Sequence, residues 1–243
     1  MAEPNDRRCA VPFDPDYFAG QADRGLRYGL TETFRHVYER RHWGGAESVS
    51  GEGASAGQTE RLRHALPALI ERLGVRTLLD LPCGDLHWMS QVRLGSVDYL
   101  GADLLPELVQ ANQLRHAGER RRFQVLDLTR SPLPAADLLL CRDGLVHLSF
   151  ADIAAAIANI RRAPIRYLLA TTFPAEAANR NITTGDWRPL NLEAPPFAFR
   201  PPLAVLNEGC TEAKGRFGDK SLGLWEVATL PDLVELQRPS GGR

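Results

Sequence analysis

The sequence is poor in several residue types, and each shortage excludes a class of protein. Only 4 of its 243 residues are cysteine, at positions 9, 83, 141 and 210. That spacing does not fit a zinc-binding pair, and a chain of this length needs no disulfide framework to hold its core. With 29 basic and 30 acidic residues the formal net charge is -1. Because no basic stripe with stacking aromatic residues is present either, nucleic acid is not expected as a partner.

Long apolar runs are also missing. No run reaches the roughly 18 residues that a membrane helix needs, and the first residues, 1 to 12, lack the apolar core of a signal peptide. We therefore expect no membrane partner, a cytoplasmic location with reduced cysteines, and no bound metal. The sequence leaves the oligomeric state open, a homodimer included.

The composition that remains is typical of a globular protein, with 44% hydrophobic and 24% charged residues. Between residues 58 and 172, helical and strand patterns alternate. Leu62, Leu66 and Leu69 recur at helical spacing before the short apolar run 77–81. The same criteria predict further strands over 98–101, 122–126, 137–141 and 167–172, and helices over 86–92, 105–116 and 150–162.

This alternation predicts an α/β fold with a doubly wound, Rossmann-like, mostly parallel sheet. Two late apolar segments, 203–206 and 222–228, predict a C-terminal antiparallel strand pair. We divide the chain into an N-terminal segment over 1–57, a main domain over 58–236 with an insertion at about 174–202, and a disordered tail over 237–243. The N-terminal segment contains a polar helical stretch, 20–41, and then a Gly/Ser-rich stretch. That stretch, 43–57, is interpreted either as a linker or as a lid over a ligand.

Acidic residues end three successive predicted strands. Asp80 and Asp85 flank the first strand end, and Asp103 and Asp127 follow the second and third. In an open α/β sheet, ligands bind beyond these carboxyl ends. The acids would repel a pyrophosphate, and the G-x-G-x-x-G motif is absent. A ligand with a ribose and a positive charge, such as S-adenosylmethionine, fits better than a dinucleotide.

The segment Asp80 to Met89 also resembles the glycine-rich first motif of class I S-adenosylmethionine-dependent methyltransferases, with Pro82 where a glycine is usual. More narrowly, the chain is similar to small bacterial enzymes that combine three motifs. These are a Trp-Gly-Gly…Glu-Ser-Val-Ser-Gly-x-Gly lid, a Pro-Cys-Gly-Asp-x-x-Trp-Met loop and an Arg-Asp-x-x-x-His segment. The resemblance runs from about Trp43 to Ala228. It implies S-adenosyl-L-methionine as cofactor and S-adenosyl-L-homocysteine as product.

Together, the acid pattern and the resemblance give a set of predicted cofactor-binding residues. Asp103 is expected on the ribose hydroxyls, Asp127 on the adenine amine, and Asp80 and Asp85 near the methionine ammonium. Arg142 is expected on the methionine carboxylate or on an anionic substrate. The full set is Trp43, Ser50, Gly51, Asp80, Pro82, Cys83, Gly84, Asp85, Asp103, Leu104, Asp127, Leu128 and Arg142.

The end of the fourth predicted strand is where a catalytic base is expected. Asp143 and His147 are four residues apart, which places them on one face of a helical turn. His147 is predicted as general base, oriented or charge-paired by Asp143; the alternative is a histidine that caps a helix or bonds a carbonyl.

The predicted substrate-binding residues follow the first and fifth strands. They suit a polar acceptor such as a sugar, an amino acid or a peptide end, and the alternatives for them are core packing and an ordinary surface loop. They are His87, Trp88, Asn181, Asp186, Trp187 and Glu208.

The predicted reaction is O-methylation of a small-molecule, sugar or peptide-derived acceptor. N-methylation of an amine or guanidine is the nearest alternative, because Glu47, Asp143, Asp186 and Glu208 would attract a cation. A non-catalytic cofactor-binding scaffold and a nicotinamide dehydrogenase are further alternatives.

Overall fold

The computed structural model describes residues 11–237. Six helices precede or connect the strands in these residues: α1 (Tyr17–Asp23), α2 (Leu30–Arg40), α3 (Ala56–Leu73), α4 (Pro106–His116), α5 (Phe150–Arg162) and the short α6 (Glu212–Gly215). The strands are β1 (Thr77–Asp80), β2 (Asp98–Asp103), β3 (Arg121–Val125), β4 (Ala136–Cys141), β5 (Ile165–Thr172), β6 (Ala204–Asn207) and β7 (Ser221–Glu226). The predicted tail lies outside the described residues except for Gln237, which ends a short 3₁₀ turn.

The seven strands form one sheet in the order β3-β2-β1-β4-β5-β7-β6. β1 to β5 are parallel, whereas β7 runs antiparallel to both β5 and β6. The predicted α/β class, doubly wound sheet and C-terminal antiparallel pair are therefore confirmed. The strand order reverses between β1 and β4, and that switch point is where open α/β sheets bind ligands.

Two apolar layers enclose the sheet. Leu78 and Leu79 on β1 point to opposite faces, and both are about 1% exposed. Leu78 belongs to the layer with α3, whereas Leu79 belongs to the layer with α5. Burial of both faces explains why the central strands have continuous apolar runs rather than alternating patterns.

The helix α5 begins where the sequence predicts. The Ser149 hydroxyl accepts a hydrogen bond from the Asp152 backbone N–H at 3.1 Å, and this N-cap satisfies one of the free donors of the first turn. Helix α4 also matches its predicted range to within one residue.

Two helix predictions differ from the structure. The helix predicted over 86–92 is wrong: only a 3₁₀ turn, Met89–Gln91, forms there. Leu86 has a φ of 62°, and the Asp85 carboxylate accepts from the His87 N–H at 3.2 Å, so the backbone cannot enter a helix at this point. The stretch predicted over 20–41 forms two helices, α1 and α2, separated by a turn with Gly25 at a φ of 82°.

None of the helices in residues 11–237 combines the length and the apolar character required to cross a bilayer.

Candidate functional site

A large open cavity lies at the carboxyl ends of β1, β2, β3 and β4, with an empty volume of about 1190 Å³. We call it the first cavity; its volume includes space that is open to solvent. Of the predicted cofactor-binding residues, all but Gly51 line it: Trp43, Ser50, Asp80, Pro82, Cys83, Gly84, Asp85, Asp103, Leu104, Asp127, Leu128 and Arg142.

Asp103 ends β2 and is held by backbone groups. Its two carboxylate oxygens accept from the Gly84 and Leu105 N–H groups, each at 3.2 Å. Burial raises the pKa of this carboxyl to about 6 despite those bonds. A buried carboxylate with a fixed orientation and remaining lone pairs is suited to accept hydrogen bonds from a ligand's hydroxyl groups.

Asp80 ends β1 and is 3% exposed. The Tyr99 hydroxyl donates to it at 2.6 Å. Burial, and to a smaller extent the nearby Asp103, raise the pKa of the Asp80 carboxyl to about 7. A cationic ligand in the cavity would favour its ionised form.

The other two predicted acids bind protein groups. Asp127 Oδ1 accepts from the Thr129 N–H at 2.8 Å and from its hydroxyl at 2.6 Å, and Oδ2 lies 2.8 Å from Arg130 Nε. Asp85 accepts from the Ser48 hydroxyl at 2.8 Å and from the Val49 N–H at 3.0 Å. Both line the first cavity, but each also stabilises a loop.

The Asp85 contacts fasten the Gly/Ser-rich stretch 43–57 across the cavity. Gly84, at a φ of 56°, lies so close to this stretch that a Cβ would stand 2.4 Å from Ser50 Oγ. Arg142 Nη2 donates to the Gly53 carbonyl at 2.7 Å. The stretch therefore forms a wall of the site, and its movement as a lid stays a prediction.

A second cavity, with an empty volume of about 530 Å³, adjoins the first. Four residues line both cavities: Trp43, Ser50, Asp143 and His147. The Trp43 and His147 rings stack with centroids 4.1 Å apart and planes at 22°. This stack lies at the boundary between the two cavities.

His147 is oriented by a backbone carbonyl rather than by Asp143. Its Nδ1 lies 3.0 Å from the Asp186 carbonyl oxygen, which can only accept, so Nδ1 carries the hydrogen. Nε2 therefore has the free lone pair. Burial lowers the pKa of His147 to about 4, so the ring is neutral at physiological pH.

Asp143 instead belongs to a buried network of charges. The Lys220 ammonium lies 2.7 Å from its carboxylate and Arg142 lies 3.3 Å away. Although burial opposes ionisation, these two cations lower the pKa of Asp143 to about 2. Asp143 thus hydrogen-bonds Lys220 and acts on His147 through its charge alone, which raises the pKa of His147 against the larger effect of burial. The φ of 52° at Asp143 interrupts the helical turn that the prediction assumed.

Arg142 is also occupied by protein groups. Its guanidinium binds Glu208 through two hydrogen bonds, Nε at 3.2 Å and Nη2 at 2.6 Å, and it lies over the Trp88 ring. Glu208 is 2% exposed and lines neither of the two cavities. This ion pair uses the groups to which the sequence assigned ligands: the Arg142 guanidinium was predicted to bind a ligand carboxylate, and the Glu208 carboxylate a substrate.

The predicted substrate-binding residues divide in the same way. Trp88 lines the first cavity and Trp187 the second. His87, Asn181 and Asp186 line neither cavity, and each has a protein partner. His87 bonds Glu47 at 3.1 Å, Asn181 accepts from the Phe150 N–H at 2.7 Å, and the Asp186 carboxylate accepts from the Phe18 and Ala19 N–H groups that begin α1.

The sequence did not lead us to predict five residues that line the cavities, four on α2 and Lys220. Leu30, Phe34, Val37 and Tyr38 form a face of α2 that lines the first cavity, and their helical spacing was a detectable signal. Lys220 lines the second cavity; it is one of only two lysines in the chain, and that rarity was the only hint.

The structure thus has a doubly wound α/β fold with an acid-lined cavity at its switch point. Neither a protein-family model nor a curated protein sequence matches the chain.

Several solved structures are similar to the chain. Magnesium protoporphyrin IX methyltransferase from Synechocystis PCC 6803 with bound SAM is 16% identical, over 63% of this chain and 76% of that one, with a TM-score of 0.44. The N-methyltransferase NodS from Bradyrhizobium japonicum WM9 in complex with S-adenosyl-L-homocysteine is 18% identical, over 58% and 73% of the two chains, with a TM-score of 0.44. The methyltransferase domain of bacterial CtHen1 is 14% identical, over 47% of this chain and 66% of that one, with a TM-score of 0.43. The chain thus spans about two thirds of the length of that domain, and the case for its function rests on its own residues.

Proposed function

We propose that this chain is an S-adenosylmethionine-dependent methyltransferase. The observation that carries the proposal is the first cavity, where four carboxylates from the ends of β1, β2 and β3 line one space beside apolar side chains. The four are Asp80, Asp85, Asp103 and Asp127.

The donor set fits this cofactor better than a phosphate-bearing one. Arg142, the arginine among the lining residues, is neutralised by Glu208. No helix begins in the loop after β1, where a pyrophosphate would need helix N–H groups. Carboxylates can accept from ribose hydroxyls and an ammonium group, while Phe34, Leu105 and Leu128 offer apolar surface for a flat ring.

When bound, S-adenosylmethionine supplies a methyl group on a sulfonium: the acceptor's lone pair forms a bond to the methyl carbon as the carbon–sulfur bond breaks, and that electron pair stays on the sulfur of S-adenosylhomocysteine. Asp103 would hold the ribose, and Asp80 would face the cationic end. The stretch 43–57, fastened to Asp85, would exclude water from the site.

We assign His147 as the group that takes the acceptor's proton. Asp186 holds Nδ1, so the lone pair on Nε2 is the one available where the two cavities meet. For a hydroxyl acceptor, this is general-base catalysis of O-methylation. The acceptor remains a small molecule, with a sugar or a peptide end among the candidates.

N-methylation is the second candidate, and a specific observation favours it. With a pKa lowered to about 4, His147 is a weak base, and an amine in its neutral form already has the lone pair that attacks. A neutral amine needs less help from the protein than a hydroxyl does.

The test is a thermal-unfolding titration of wild type and Asp103→Ala with S-adenosylmethionine, S-adenosylhomocysteine and NADH. A ligand that binds only the native state raises the midpoint by mass action. We expect both adenosyl ligands to stabilise the wild type, and the mutant to bind them on the order of tenfold or more weakly, because a charged hydrogen bond contributes about 1.5–3 kcal/mol. Asp98→Ala, at the opposite end of β2 and on the protein surface, is the control and should respond like wild type. Stabilisation by NADH alone would contradict the proposal.

A further inference from the structure

The second cavity has an aromatic wall. Phe173, Trp187 and Phe217 pack edge to face, with ring centroids 5.1 to 6.2 Å apart, and all three line the cavity. Phe13 from the N-terminal segment and Trp43 add rings from other parts of the chain. Phe173 and Phe217 are 1–2% exposed, so the half-buried Phe13 and Trp43 offer the ring surface. Aromatic faces bind apolar rings and also attract cations.

The charges around this cavity are not balanced. Among residues 11–237, Glu52, Asp143 and Glu212 line it with one cation, Lys220. Lys220 Nζ lies 2.7 Å from Asp143 but 4.0 Å from Glu212, and Arg142 behind the wall is matched by Glu208. Within this described part of the chain, Glu52 and Glu212 therefore give the cavity an excess of negative charge, which disfavours an anion and favours a cation.

The position of the cavity links it to the chemistry. His147 and Trp43 line both cavities, so a molecule in the second cavity is adjacent to the contents of the first. We infer that the second cavity binds the methyl acceptor, and that this acceptor is a small amine carried on an aromatic body. The amine enters as its ammonium ion, loses its proton to water, and attacks the methyl carbon as the neutral amine. This inference rests on the proposed methyltransferase function and adds the substrate class to it.

Three probes with the same aromatic body separate the charge preference from the shape preference: 2-phenylethylamine, 2-phenylethanol and phenylacetate. Each is titrated calorimetrically into protein saturated with S-adenosylhomocysteine. We expect the amine to bind on the order of tenfold more tightly than phenylacetate, with the alcohol between them, because two excess carboxylates act at close range.

Two variants locate the effect. Glu52→Gln should reduce the preference for the amine over phenylacetate several-fold, whereas Glu119→Gln, also exposed but outside the cavity, should not. Phe13→Ala removes a half-buried ring that lines only the second cavity, so it should weaken all three probes and leave S-adenosylhomocysteine binding unchanged.

The outcomes separate this inference from the proposed function. Failure of the wild type to bind S-adenosylhomocysteine would overturn the proposed function. If that ligand binds but phenylacetate binds as well as the amine, or no probe binds, the assignment of the second cavity is wrong and the cofactor assignment survives.

Discussion

The two adjoining cavities are built in different ways. The first is lined largely by residues that directly follow β1, β2, β3 and β4, so each acid is placed by the strand before it. The second is lined by five segments far apart in sequence: residues 11–13, the stretch 43–57, the loop after β4, the loop after β5, and the region before β7. A site at strand ends follows from the fold, whereas a site between distant segments depends on individual long-range contacts.

The largest expected effect concerns the boundary between the cavities. For a hydroxyl acceptor such as 2-phenylethanol, His147→Ala should lower the rate of S-adenosylhomocysteine formation on the order of 10²–10⁴-fold, as expected for loss of a proton acceptor. The loss should be smaller for 2-phenylethylamine, because it attacks as the neutral amine. The measurement uses whichever of the three probes is methylated, with cofactor affinity measured in parallel. If the variant keeps its cofactor affinity and a near-normal rate, His147 has only a structural role, in the ring stack with Trp43.

The next effect concerns the buried ion pair between Arg142 and Glu208, two residues that are distant in sequence. Arg142→Met leaves the buried Glu208 with the more distant Lys220 Nζ, at 3.7 Å, as its cation and removes one cation from Asp143, so we expect a loss of about 3–5 kcal/mol in the free energy of unfolding. Urea denaturation measures it. Arg120→Met, which breaks an exposed pair with Asp98, is the matched control and should cost about 0–1 kcal/mol. Equal losses would remove the distinction between the two kinds of ion pair.

A pH experiment tests one acid of the first cavity, Asp103. The pKa of Asp103 is raised to about 6 in the folded protein, above its unfolded value near 4, so the native state binds the extra proton between these pH values. This group therefore contributes stability at low pH that is lost as the pH rises from about 4 to 6. Asp103→Asn cannot titrate.

Relative to wild type, Asp103→Asn should gain on the order of 1–3 kcal/mol of stability between pH 4 and pH 7. Denaturation of both proteins across this range measures the difference. The lowered pKa of His147 destabilises the fold as the pH falls, but this contribution cancels in the difference because both proteins contain His147. A constant difference would mean that burial does not perturb Asp103.

The smallest effect concerns the stretch 43–57, which both cavities share. Ser48→Ala removes the hydroxyl that donates to Asp85, with an expected local cost of about 1 kcal/mol. Protease cleavage within residues 43–57 should then become about fivefold faster, while Ser96→Ala, at an exposed position outside the site, should leave it unchanged. Addition of S-adenosylmethionine should slow cleavage in the wild type. Cleavage that is insensitive to both changes would mean that the stretch does not open.

The sequence was sufficient for the sheet and for most of the first cavity. The apolar runs that form β1, β4 and β5 and the capped start of α5 are local patterns, and Asp80 and Asp103 are the last residues of their strands. The helix expected over 86–92 did not form, because Leu86 and Asp85 adopt a turn that periodicity does not report.

Only the tertiary structure decided what the remaining polar groups do. Asp186 and Glu208 look equally suited to a substrate in the sequence, yet one begins α1 and the other neutralises Arg142. The partner of His147 is a carbonyl 39 residues away. A buried polar group must be satisfied by whichever partner the fold brings to it, and that partner is set by packing rather than by spacing along the chain.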